Sequence, residues 1–214
     1  MAYTADILDS LVPITQFNRG QASRIFDRLH TENQLIVLKN NQPAAIILSP
    51  SEFQRLSEIE EDYTLLLEAT RRLKEDSSST SSREELMSEL NISEVDYCCR
   101  GYGDGMRWQI EYLEEAKKDL KKLDRSAQII VLKGIDKVSE NPLPAQQGGY
   151  GKPLGNKSGT NLTNLLKIKF RDIGIRVVYK VEYTDTVMKI IVISARADEQ
   201  VYKEANKRKT RHDL

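Results

Sequence analysis

The chain has 214 residues, 39% of them hydrophobic and 30% charged, with 32 Lys/Arg balanced by 32 Asp/Glu. No apolar run of about 18 residues occurs, which excludes a membrane-spanning helix, and Met1-Ala2-Tyr3-Thr4-Ala5-Asp6 has no basic, apolar leader. Cys98 and Cys99 are adjacent and cannot staple distant segments, so the expectation is a reduced, cytoplasmic protein.

The neutral total conceals two opposed halves. Residues 1–105 hold 10 Lys/Arg and 18 Asp/Glu, a net of −8, and residues 106–214 hold 22 and 14, a net of +8. Such a split is expected where one half meets a polyanion and the other neutralises it.

The first segment reads helix, hairpin, helix. Thr15 to His30 carries Phe17, Ala22, Ile25, Phe26 and Leu29, which from Ala22 onward follow the spacing of one buried helical stripe. The β-prone runs 34–39 and 43–48 flank Asn40-Asn41-Gln42, the predicted hairpin turn. Ser49-Pro50-Ser51-Glu52 places a capping serine, a proline at the first helical position and a glutamate three residues after the cap, which opens a helix. Phe53, Leu56, Ile59, Tyr63, Leu66 and Leu67 carry that helix to about Lys74.

The serine run 77–82 cannot build a core and is expected to be a flexible joint. Ser82-Arg83-Glu84-Glu85 is a second capping box, and Leu86, Met87, Leu90, Ile92 and Val95 make the helix expected over 82–97 amphipathic. A helix this short needs a partner surface. Cys98 to Gly105 is a glycine-rich linker.

The basic half opens on Met106 to Tyr112, which alternates like a first strand. Charged helices follow over 114–124 and 127–140, then β-rich runs over 164–171, 174–183 and 187–194, then a closing helix over 199–209. This order predicts an α+β domain with helices stacked on a mainly antiparallel sheet.

Catalytic constellations of the familiar kinds are absent, since His30 and His212 are the only histidines and neither metal-ligand spacings nor phosphate-cradling glycine loops occur. No metal or cofactor is expected. What remains is polar: Lys167 and Lys169 share one strand face, Arg176 lies just across the turn if the neighbouring strands pair, Arg196 follows the last strand, and Tyr202 lies six residues on. The other phase, Leu166, Ile168 and Phe170, supplies the core. An open sheet face carrying these cations with little local acid is what a phosphate backbone binds.

The stretches 108–112, 116–124, 152–155, 166–171, 175–179 and 192–196, with Val201-Tyr202, resemble the RelE family of toxins within the RelE/ParE superfamily. The resemblance implies a translation-dependent messenger-RNA endoribonuclease that drives a ribose 2′-hydroxyl onto its neighbouring phosphate. It implies Lys167, Lys169 or Tyr202 as the base, Arg176 for the charge of the transition state, and Arg196 as the acid or a substrate-orienting group. The ribosome would position the messenger, with the basic residues Lys117-Lys118, Lys121-Lys122 and Lys207-Arg208-Lys209 on ribosomal RNA.

Residues 12–15, 22–29, 39–48 and 49–56 are similar to antitoxins of the Phd/YefM type. That likeness implies a homodimerising, operator-binding domain that represses its own transcription, with Arg19, Arg24 and Arg28 as candidate DNA contacts. The expected organisation is an antitoxin domain at 1–75, a linker with a neutralising helix at 76–105, and a toxin domain at 106–214. Leu86, Met87, Leu90, Ile92 and Val95 would face the toxin groove, and Glu84, Glu85, Glu89, Glu94 and Asp96 its basic face, in cis or in trans. The alternatives are a ParE-like toxin that poisons gyrase, and a non-catalytic DNA-binding repressor.

Overall fold

The computed structural model describes residues 9–75, 79–92, 107–154 and 164–195. The chain divides into two compact units, one ending at Glu60 and the other beginning at Glu61, so this division falls inside a helix.

In the first unit, β1 (Leu11–Pro13) runs parallel to β2 (Gln34–Lys39), which pairs antiparallel with β3 (Gln42–Leu48). Lys39 pairs with Gln42, so the turn is Asn40-Asn41 alone, one residue shorter than expected. Both asparagines have positive φ, 53° and 58°, a backbone that asparagine tolerates and whose twist suits a two-residue hairpin. The helix expected over 15–30 is instead a π-helical turn, Phe17–Gln21, followed by α1 (Ala22–Arg28). Gly20, at φ 73°, lies within that π-helical turn and interrupts the regular helix there. Val12, Ile25 and Leu35 form a small core flanked by Phe17, Leu29 and Ile47. Phe26, expected in the buried stripe, is half exposed and meets Phe17 edge-on.

The long helix α2 (Pro50–Glu75) starts where the cap predicts, with the Glu52 N–H donating to Ser49 Oγ at 3.2 Å. Phe53, Leu56, Ile59, Tyr63 and Leu67 on it are exposed, whereas Leu65, Ala69 and Arg72 are buried.

The second unit contains the end of α2 and then β4 (Thr80–Ser82), α3 (Arg83–Glu89), β5 (Gln109–Leu113), α4 (Glu114–Lys121), α5 (Arg125–Ser139), β6 (Lys152–Pro153), β7 (Leu165–Phe170), β8 (Ile175–Glu182) and β9 (Val187–Ala195). The sheet order is β4-β5-β9-β8-β7-β6, with β5 and β9 parallel and every other pair antiparallel. This is the expected α+β architecture.

Three local departures have physical reasons. Thr80–Ser82, read as part of a flexible joint, is an edge strand on β5, and the buried Ser81 hydroxyl donates to Glu114 at 2.8 Å. The capping box closes at both ends, Ser82 Oγ accepting from the Glu85 N–H and Glu85 accepting from the Ser82 N–H. Yet α3 ends at Glu89, because Asn91 turns left-handed at φ 50° and the Ile92 N–H reaches back to the Met87 carbonyl at 3.0 Å, a Schellman stop. Likewise α4 ends early because Asp124 is spent as the cap of α5, accepting the Ala127 N–H at 2.9 Å.

One hydrophobic core runs through the second unit. It joins Leu65 and Ala69 of α2, Leu86 and Met87 of α3, and Ile92 to Leu120, Leu132, Ile135, Val177, Tyr179 and Ile190. Gly134 of α5 admits the Phe170 ring against its backbone, and Tyr179 donates to the Pro142 carbonyl at 2.8 Å, which places α5 on the Phe170/Tyr179 face of the sheet. The closing helix expected over 199–209 and the loop 155–163 lie outside the described residues.

Candidate functional site

The sheet face opposite α5 carries the cations. Lys169 sits directly across from Arg176 and Lys167 across from Val178, so strand alternation brings Lys167, Lys169 and Arg176 to one face. Arg176 in turn pairs in register with Ser194 of β9.

That face, expected to be open, is covered. Lys167 is 6% exposed and Arg176 4%. The Lys167 ammonium donates to both carboxylate oxygens of Asp62. Arg176 Nε donates to Glu61 Oε2 at 3.3 Å, and its Nη1 to the Ile175 carbonyl at 3.2 Å. Consecutive helical residues project about 100° apart, so one short stretch of α2 reaches two neighbouring strands. Two cations this deeply buried are tolerable only with counter-charges at hand. Lys169 is half-buried beside them. Arg196 and Tyr202 lie outside the described residues.

A second contact seals the edge of β9. The β5 pairing ends at Ile190, and beyond it Arg72 Nη1 donates to the Ile191 carbonyl at 2.9 Å and to Asp119 Oδ2 at 2.6 Å. Asp119 Oδ2 also accepts the Ile193 N–H at 3.4 Å. The ion pair therefore supplies hydrogen bonds where a neighbouring strand is missing. Glu68 completes it, bonding Arg72 Nε at 2.7 Å and Arg71 at 2.8 Å; these guanidinium bonds, that of Arg71 foremost, pull its carboxyl down to about 2.

The third contact is α3. Leu86, Met87 and Ile92 are buried and Leu90 packs against the same core, while Val95 lies outside the described residues. Arg83 forks onto Asp136 of α5, with Nη2 2.7 Å from Oδ2. Of the acids expected against the basic face, Glu89 alone among the described ones reaches it, bonding Lys117 and Lys121. Glu85 is used in the capping box and Glu84 is exposed; Glu94 and Asp96 lie outside the described residues. Lys117, expected on an RNA-facing surface, is buried.

The residues missed in the sequence are thus Glu61, Asp62, Glu68 and Arg72. A signal existed in the acidic run Glu60-Glu61-Asp62 immediately before Leu65 and Ala69, at the spacing of a buried stripe. In the first unit, Arg24 is exposed on α1, Arg28 is held by Glu32 with Nε 2.7 Å from Oε1, and the side chain of Arg19 lies outside the described residues. Among the described residues, no group of His, Cys, Asp or Glu could hold a metal ion.

Residues 10–84 match the Phd_YefM antitoxin family of type II toxin–antitoxin systems, and residues 110–199 match the ParE toxin family of type II toxin–antitoxin systems. A RelE-like toxin protein of Escherichia coli is 31% identical over 104 residues, covering 48% of this chain and 98% of that protein. The crystal structure of the isolated E. coli RelE toxin is 26% identical, covers 48% of this chain and 98% of its own, and has a TM-score of 0.36. The toxin–antitoxin complex RelBE2 of Mycobacterium tuberculosis is 21% identical, covers 42% of this chain and all of the matched one, and has a TM-score of 0.35.

Proposed function

Since this chain belongs to the type II toxin–antitoxin proteins, a Phd/YefM antitoxin and a RelE-like toxin in one polypeptide, we propose that its toxin part is a ribosome-dependent messenger-RNA endoribonuclease held inactive by the segment 61–92. The observation that carries this reading is the burial of Lys167 and Arg176 under Asp62 and Glu61. A cation cluster aimed at a phosphodiester is silenced when carboxylates occupy the place of the phosphate oxygens.

With that segment lifted, Arg176 stabilises the charge of the pentacovalent transition state. Lys167, Lys169 or Tyr202 takes the 2′-hydroxyl proton, and Arg196 orients the substrate or protonates the leaving 5′-oxygen. The ribosome supplies the positioning that such a sparse site lacks.

The antitoxin part binds operator DNA as a homodimer in this reading. Arg24 is exposed for a phosphate or base contact, Ile46 of β3 and Phe53, Leu56 and Ile59 of α2 are exposed apolar residues, and β3 ends its sheet among the described residues, features that a second copy could cover. Loss of the gel shift on the chain's own upstream DNA in Arg24→Ala tests this role.

The test of the nuclease reading is primer extension on a translated messenger with the full chain, residues 106–214, and residues 106–214 carrying Arg176→Ala. Cuts in A-site codons from the short form alone, abolished by the substitution, are expected. The ParE match favours one rival, gyrase poisoning. Gyrase-trapped DNA breaks with an uncut messenger would establish that rival, and neither activity would leave a DNA-binding repressor.

A further inference from the structure

Two anchors fix the path of α3 across the second unit. At its start, Arg83 forks onto Asp136, near the end of α5. At its finish, Arg125 at the start of α5 donates through Nη1 to the Leu90 carbonyl at 2.6 Å and through Nη2 to the Asn91 carbonyl at 2.7 Å. α3 therefore runs antiparallel along α5. The approach to β5 begins at the far end of that same helix, where the Trp108 N–H donates to the Ser139 carbonyl at 3.0 Å.

We propose that each chain inhibits itself: residues 61–92 lie on the toxin part of their own polypeptide, and residues 93–106 are a tether whose length matches the span it crosses.

The match follows from the points at which the tether leaves and rejoins the fold. Arg125 and Ser139 are the two ends of α5, and the rise between them is about 21 Å. The tether has fourteen residues, three of them glycine. An unstructured chain of that length has an r.m.s. end-to-end distance of about 21 Å. A linker gives the highest effective concentration, in the millimolar range, when its r.m.s. length equals the span. Its extended limit is about 50 Å, so closing the contact demands no strain. In a swapped pair the same residues would have to lead from α5 of one copy to β5 of another, although the chain's own β5 stands within reach.

The upstream connection is tighter. Only residues 76–79 join α2 to β4, and both ends are held by α4: Arg71 donates to Glu115 at 3.0 Å and Ser81 to Glu114 at 2.8 Å. Residues 61–92 accordingly dock as one piece, and a tether that places α3 on its own toxin part places the end of α2 there too. Neutralisation in cis does not weaken on dilution. One backbone cut within 93–106 makes it a bimolecular contact governed by mass action.

This proposal rests on the reading of 61–92 as the inhibitor, but its test needs no cleavage of messenger. Glu89 and Lys121 form a surface ion pair, 2.7 Å apart with side chains 44% and 43% exposed. A water-soluble carbodiimide can therefore join them directly as an amide. Full-length chains carrying light or heavy nitrogen are mixed in equal amounts, unfolded in urea, refolded together and cross-linked, and their linked peptides are weighed by mass spectrometry. The Glu89–Lys121 link should carry one isotope throughout, and Glu89→Gln should remove it.

Mixed isotopes in about half of the links, the statistical result for a swapped dimer, would overturn the proposal. Absence of any link that Glu89→Gln removes would overturn the contact itself. Single-isotope links, with messenger left uncut by residues 106–214, would sink the nuclease reading and leave the intramolecular contact standing.

Discussion

The Lys167 ammonium donates to both carboxylate oxygens of Asp62, a residue 105 positions earlier in the chain. Both side chains are nearly closed to water, 7% and 17% exposed. The pair thus ties the antitoxin part to the strand that carries the candidate nuclease cations. Such a pair contributes little net stability against apolar residues of similar size, but half of it left alone is costly.

Asp62→Ala is therefore expected to destabilise the second unit by about 3 kcal/mol. Adding Lys167→Met should restore most of that, because the stranded charge is gone. Urea unfolding followed through Trp108, the only tryptophan, checks both. A double variant no more stable than Asp62→Ala would sink this account of the pair.

Tyr112 is fully buried, and its hydroxyl has no hydrogen-bond partner among the described residues. Burial, with Asp136 nearby, pushes its phenol well above the ordinary tyrosine range. Removing an unsatisfied buried hydroxyl while keeping the ring should stabilise, so Tyr112→Phe is expected to gain about 1 kcal/mol. A loss in the same urea experiment would show that the hydroxyl is bonded in solution.

The hairpin, the main strands and helices of the second half, and the two capped helix starts were readable because the information is local, whereas the short strands β1, β4 and β6 were not. Ser49-Pro50 and the Ser82–Glu85 box each fix a helix start within four residues, and strand alternation put Lys167 and Lys169 together. What covers them was not readable. Glu61 and Asp62 look like ordinary solvated helix charges, and only the folding of residues far downstream brings the cations to them. Thr80–Ser82 was hidden for another reason: a serine run has no apolar alternation, and its pairing with β5 is backbone hydrogen bonding helped by Ser81. At α3 two local signals conflicted. Ile92 and Val95 extended the helical spacing, while Asn91, able to turn left-handed, stopped it.

That stop is testable. At φ 50° an alanine meets the left-handed penalty that asparagine partly escapes, so Asn91→Ala should cost about 1 kcal/mol. Asn91→Gly should be near neutral, its relief of strain offset by the freer unfolded chain. Thermal melts of the two variants check the ranking, and equal melts would mean that Asn91 does not hold the turn.

Acid should loosen the antitoxin segment from the toxin core. Glu68 is held at about 2, chiefly by its bonds to Arg71 and Arg72. Glu114, bonded by Ser81 and Lys117, and Glu89 are shifted the same way. A carboxyl whose folded value lies below its unfolded value of about 4.5 binds its proton more weakly in the folded state. Its stabilising contribution is complete above that value and disappears as pH falls from about 4.5 toward about 2. The urea midpoint reported by Trp108 should accordingly stay level above about pH 5 and decline steadily below it, and Glu68→Gln should flatten part of the decline. A midpoint that holds constant down to about pH 2.5 would mean that these ion pairs do not secure the segment.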